Sequence, residues 1–138
     1  MGDIMRFGIS MDGKLLGRFD GFIAEHGYSS RSEAIRDLVR DRLIQEEWKE
    51  ESGETVGTIT LIYDHHRREL TERLTEEQHH RHEQILSALH VHLDEDHCLE
   101  VLAVRGPAKE LKNLADTLIS AKGVKHGKLV MTSTGENL

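Results

Sequence analysis

His90-Val91-His92 and then Cys98, with His79, His80 and His82 just upstream, gather imidazoles and the only thiol of the chain into one short segment. Imidazole nitrogen and thiolate sulfur are borderline-soft to soft donors, so this grouping is metal-ligand chemistry. Leu89, Val91 and Leu93 alternate with His90 and His92, which puts the two histidines on one face of a strand and the aliphatic residues on the other. Asp94-Glu95-Asp96-His97 reads as a tight polar turn that returns the chain antiparallel and brings Cys98 beside His92. Three ligands from one hairpin leave a coordination sphere one short, so a fourth must come from elsewhere. The donor types alone leave the ion open between tetrahedral zinc and square-planar nickel or copper(II).

The elements that must position these residues follow from periodicity. Residues 4–11 alternate, with Phe7, Ile9 and Met11 on one face and Arg6, Gly8 and Ser10 on the other, which predicts a short strand. Leu15, Leu16, Phe19, Phe22 and Ile23 recur at helical spacing up to a stop at Gly27. Ser30 and Glu33 form a capping-box pattern opening a second helix, with Ala34, Ile35, Leu38 and Val39 as its apolar face. That helix runs into the acidic segment Glu46 to Glu51, and Ser52-Gly53 reads as a linker. The expected domains are therefore 1–51 and 52–138. A lone strand with two helices has no partner for its ladder and too little core. Pairing with the same strand of a second copy answers both needs and displays Arg6, Gly8 and Ser10 twice on a ribbon that fits a DNA major groove.

The second half reads as a strand from Val56 to Tyr63, a helix from Arg67 to His82, the hairpin from Leu86 to Arg105, a helix from Ala108 to Lys122 and a strand from Lys128 to Thr132. That βαββαβ order is ferredoxin-like, so the fold class is α+β. Leu70 and Leu74 set the buried stripe of the first of these helices, and a rotation of about 100° per residue puts His79 on its opposite side. This favours a ligand given to a neighbouring subunit.

Composition narrows the setting. The chain has 138 residues, a formal charge of -7 and 31% charged residues, which speaks against a basic nucleic-acid coat. There is no long apolar run and no signal-like start, so neither a membrane span nor export is expected, and a lone thiol that serves as a ligand fits the reducing cytoplasm.

Gly27-Tyr28-Ser29-Ser30-Arg31-Ser32-Glu33-Ala34-Ile35-Arg36-Asp37, Tyr63-Asp64-His65, Gln78-His79-His80, and His90-Val91-His92 through Cys98-Leu99-Glu100 form a specific set of motifs. On these motifs the chain resembles the nickel-responsive transcriptional regulators called NikR, a resemblance that covers essentially its whole length. It implies a ribbon-helix-helix DNA-binding domain, an ACT-like ligand domain and a homotetramer built as a dimer of dimers. It further implies Ni(II) held by His90, His92 and Cys98 of one subunit with His79 of another, in a square plane at the tetramer interface. Tyr63, Gln78 and Glu100 match outer positions that orient the ligands, and Glu33 and Asp37 match a second cation position, occupied by potassium, near the contact between the domains. Gly8 stands where the family offers a hydroxyl side chain. The function implied is repression of nickel-uptake genes by binding double-stranded operator DNA when metal is bound.

Charged helix positions are by default solvated. Arg31 beside Ser30, at the start of the second helix, is read instead as a phosphate contact. His65, His66, His80, His82 and His97 are expected at the surface. An enzyme would need an open metal position, which four protein ligands in a plane would not leave, and a metal store would leave the polar ribbon without a use.

Overall fold

The structure, a computed structural model, describes residues 2–50 and 53–138, so Glu51 and the expected linker residue Ser52 lie outside the described residues. The chain divides into two compact units, Met1–Asp41 and Arg42–Leu138.

In the first unit, α1 (Gly13–Glu25) begins where the Asp12 carboxylate accepts the backbone N–H groups of Lys14 and Leu15, at 3.1 and 3.3 Å. Such a cap satisfies donors that the first turn leaves without intrahelical partners. Gly27, at φ 73°, supplies the left-handed step after it. α2 (Arg31–Glu50) opens on the expected Ser30 cap, whose hydroxyl accepts the Glu33 N–H at 3.2 Å. The Glu33 carboxylate reaches past Ser30 to the N–H and hydroxyl of Ser29, at 3.3 and 2.7 Å. Residues 4–11, expected as a strand, form no ladder within the single chain. A strand is a shared set of hydrogen bonds, and among the described residues no second strand lies beside this one. Ile4, Met5, Phe7 and Ile9 are consequently exposed.

The second unit carries the expected βαββαβ order: β1 (Glu54–Asp64), α3 (Arg68–His80), β2 (Ile85–His92), β3 (His97–Pro107), α4 (Ala108–Ile119) and β4 (Val124–Thr132). The sheet is antiparallel, in the order β2-β3-β1-β4. Ile59, Leu61 and Tyr63 of β1 and Cys98, Leu102 and Val104 of β3 share one face by their period of two. They form the core with Leu70 and Leu74 of α3 and Leu111, Leu114 and Leu118 of α4, so both helices cover that face. Leu89 and Val91 of β2 pair with Val101 and Leu99 on the other face.

The last turns of α2 group with this second unit. Trp48 is the reason: it is fully buried in the same core, its indole N–H donates to the Thr132 carbonyl at 2.8 Å, and Lys112 donates to the Trp48 carbonyl at 2.8 Å. Gly57 makes room beneath it, since a Cβ there would stand 2.7 Å from the Val130 carbonyl oxygen and 3.4 Å from the indole.

Candidate metal centre

The β2–β3 turn is built as the sequence predicts. Asp94 Oδ1 accepts the N–H groups of Asp96 and His97, each at 2.8 Å, and Leu93 N–H donates to the His97 carbonyl at 2.9 Å. The His97 side chain beside Asp94, together with those two N–H groups, pulls the carboxyl down from its ordinary 3.8 to about 2. The Asp94 carboxylate therefore keeps its charge, and the bonds it accepts in the turn, to well below the pH at which an ordinary aspartate protonates. Its register sets His92 opposite Cys98 and His90 opposite Glu100. Cys98 Sγ lies 3.4 Å from His92 Nδ1. Adjacent ligands on one ion, with bonds of about 2.0–2.3 Å, stand roughly 3–3.5 Å apart. The pair has the spacing of two ligands.

His65 joins them. Its ring meets that of His92 edge-on with centroids 5.1 Å apart, and ligand atoms of His65, His92 and Cys98 all lie within 4.8 Å of one another. His65 is half-buried rather than on the surface, and its Nδ1 is buried without a hydrogen-bond partner. A buried imidazole nitrogen left unpaired is costly unless something occupies it, and a cation is the natural occupant of a pocket with a thiol and two imidazoles. The donor set thus fits a borderline-soft divalent ion such as nickel. The sequence signal for His65 was strand parity: Tyr63 pairs with Cys98, and the side chain two residues on returns to that face.

His90 is held differently. Tyr63 donates its hydroxyl proton to Glu100 Oε2 at 2.8 Å, and Gln78 Nε2 donates to the other carboxylate oxygen. Burial, and then the bond to Glu100, push the Tyr63 hydroxyl far above its ordinary value, so it remains a donor at any neutral pH. With that proton committed, the Tyr63 oxygen acts toward His90 Nδ1, 3.5 Å away, as an acceptor. An Nδ1–H donated to that oxygen would leave Nε2 for an ion. The rings of His90 and His92 stand 5.3 Å apart.

His79 lies on the last turn of α3, exposed and outside this cluster. Its neighbour Gln78 turns inward to the buried Glu100, which anchors the turn that displays His79. The outward placement agrees with the helix-face count. Of the other histidines, His66 pairs with Asp96 at 3.3 Å, His80 with Glu76 at 3.9 Å, His97 with Asp94, and His82 Nδ1 contacts the His79 carbonyl at 3.2 Å.

Burial raises the Cys98 thiol above its ordinary 9.0, and the nearby carboxylates of Glu100, Asp64 and Asp94 add to the shift. The thiol is therefore protonated at neutral pH, and a metal must displace that proton. Apparent nickel affinity is expected to rise about tenfold per pH unit between about pH 7 and 8.5, with close to one proton released per ion in a weakly buffered titration. A flat pH profile would remove the thiolate from the ligand set.

In the first unit, Arg6, Gly8, Ser10 and Ser30 are exposed. The guanidinium of Arg31, expected at a phosphate, is bound at two points by Asp20. Glu33 and Asp37 line a shallow hollow with Ile4, Tyr28, Arg36 and Arg40. Both carboxylates already have partners there: Ser29 for Glu33, and for Asp37 the Tyr28 hydroxyl at 2.8 Å and Arg40 at 3.8 Å.

Residues 56–132 match the family model described as the NikR C-terminal nickel-binding domain, and residues 5–46 match that of ribbon-helix-helix proteins of the CopG family. A ribbon-helix-helix half followed by a nickel-binding half defines a class of metal-responsive transcription regulators, not enzymes. Proteins named as nickel-responsive regulators share 62% identity in Geobacter sulfurreducens and 60% in Geobacter metallireducens, each over 100% of this chain and 99% of theirs. The chain belongs to the NikR family of nickel-responsive regulators. A solved structure of an uncharacterized protein from Thermotoga maritima shares the fold alone, with a TM-score of 0.53 and 19% identity over 57% of this chain and 98% of its own. No helix among the described residues is long and apolar enough to cross a membrane.

Proposed function

We propose that this protein is a cytoplasmic repressor that grips operator DNA when Ni(II) is held by His90, His92 and Cys98 of one subunit together with His79 of a neighbour, and that it controls nickel-uptake genes. The observation that carries the reading is the 3.4 Å approach of Cys98 Sγ to His92 Nδ1 in a chain whose His79 points away from them. His65, His92 and Cys98 lie together within one chain, and His79, exposed on α3, is read as the ligand given to a second copy.

Two uncovered apolar surfaces support assembly as a dimer of dimers. One belongs to the first unit, where Ile4, Met5 and Phe7 stand exposed. The other is the sheet face turned from the helices, with Leu89 at 60% and Leu93 at 54% exposure. Covering one such side chain contributes about 1.5–3 kcal/mol, so each surface can drive its own pairing. The first pairing gives residues 4–11 a ladder partner and sets Arg6, Gly8 and Ser10 of two chains on a ribbon suited to the major groove, while Ser30 and Arg31 meet phosphates. Potassium at Glu33 and Asp37 is part of this proposal, and it would replace the hydroxyl donors those carboxylates now accept.

Within the site, Tyr63 fixes the His90 tautomer, and Glu100 holds Gln78 and thereby the turn carrying His79. Cys98 gives up its proton on loading. Nickel, when bound, supplies a joint between subunits that favours one arrangement of the assembly. Because a ligand shifts an equilibrium only by its differential affinity for two states, metal and operator must strengthen each other equally. Operator affinity, measured by gel shift or anisotropy against upstream DNA from the protein's own locus, should rise about 5–150-fold on adding stoichiometric nickel. Equal affinities with and without nickel would end the repressor reading.

A further inference from the structure

Asp20 lies in the middle of α1 and Arg31 is the first residue of α2, yet their side chains meet in a two-pronged fork. Arg31 Nε donates to Oδ1 and Nη2 to Oδ2, both at 2.9 Å. The side chains are 57% and 45% exposed, so the pair rather than any surrounding wall fixes the guanidinium. A carboxylate and a phosphate offer an arginine the same pair of oxygens, and the two compete for one fork. The first unit has no surplus of basic residues with which to offset the loss of one, since seven acidic side chains face six basic ones over residues 1–41.

We propose that Asp20 is an internal substitute for a DNA phosphate, occupying Arg31 off DNA and displaced from it on binding, so that the protein's sequence-independent affinity for duplex is held down. This rests on the reading above that Arg31 contacts a phosphate. The displacement is an exchange of one anion for another at the same guanidinium, so the gain from that contact is reduced on every sequence alike. Bulk DNA then retains less of the protein, while the ratio of operator to bulk affinity is unchanged.

The test uses the full-length, nickel-loaded protein and a random-sequence duplex, with anisotropy read over a series of KCl concentrations. Asp20→Asn keeps the shape and removes the charge, while Asp20→Ala removes the acceptor altogether. Both are expected to tighten binding about two- to fivefold at low salt, the range for breaking an exposed ion pair. In an Arg31→Ala background both should gain no more than Glu25→Gln, the same charge change at the end of α1, and in the parent protein Glu25→Gln should fall short of the Asp20 gain. Arg31→Ala alone should weaken binding and make the log–log salt dependence shallower by about 0.9, one phosphate's share. If Arg31→Ala weakens binding but the Asp20 variants do not tighten it, or tighten it equally without Arg31, Asp20 is a brace between helices and the proposal is overturned. If Arg31→Ala changes neither affinity nor slope, the phosphate reading itself falls, and the proposal with it.

Discussion

Cys98→Ala is expected to abolish the thiolate-to-nickel charge-transfer band outright and to remove nickel-dependent operator binding. The chain has one sulfur of this kind, buried and 3.4 Å from His92 Nδ1, so no neighbouring thiol can substitute for it. His79→Ala tests the same site from the other side. It touches nothing in the cis cluster, so a folded subunit should survive with its circular dichroism unchanged while nickel affinity falls. The loss should be larger than the roughly 10–100-fold that follows removal of a residue acting only through a ligand, because a ligand itself is missing. A charge-transfer band that persists in Cys98→Ala would place the ion elsewhere. Full affinity in His79→Ala would mean that the sphere closes within one chain, with His65 the nearest candidate by position.

Trp48→Ala should be the most damaging substitution in α2. The indole is fully buried in the core cluster of the second unit, and its N–H satisfies the Thr132 carbonyl at 2.8 Å. Truncating a buried Trp costs about 3–5 kcal/mol through lost contacts and the cavity left behind. The Thr132 carbonyl keeps a second donor in the Thr55 hydroxyl at 2.7 Å, so the hydrogen-bond loss adds little. Denaturant unfolding at one fixed protein concentration without metal isolates the effect from assembly and ligand linkage. A change below about 1 kcal/mol would show that the end of α2 does not belong to the core of the second unit.

The β2–β3 hairpin was legible because each of its signals is local. Alternation fixes which face His90 and His92 share, and Asp94 is the residue type that closes such a turn, so Cys98 arrives beside His92 by chain geometry alone. The βαββαβ order was legible for the same reason, although β4 begins at Val124 rather than Lys128. Gly127 hid that start, and it is required there because a Cβ would stand 2.5 Å from Ile119 Cγ1. What escaped depends on contacts between distant residues. His65 enters the cluster through the β1–β3 register, Trp48 looked like part of a polar helix end, and Asp20 claims Arg31 across two helices. Residues 4–11 carry a strand pattern whose ladder one copy cannot make, so the pattern is visible in the sequence and absent from the single chain.

β2 is one of the two edge strands of its sheet and carries exposed leucines beside His90 and His92. Its outer backbone N–H and C=O groups offer a template to any extended segment that drifts past. A solitary protomer therefore exposes a template for β-edge association, and clumping by that route is expected to grow with protomer concentration. Leu89→Lys would set a charge on that edge strand and, under the assembly proposed above, on the face through which copies meet.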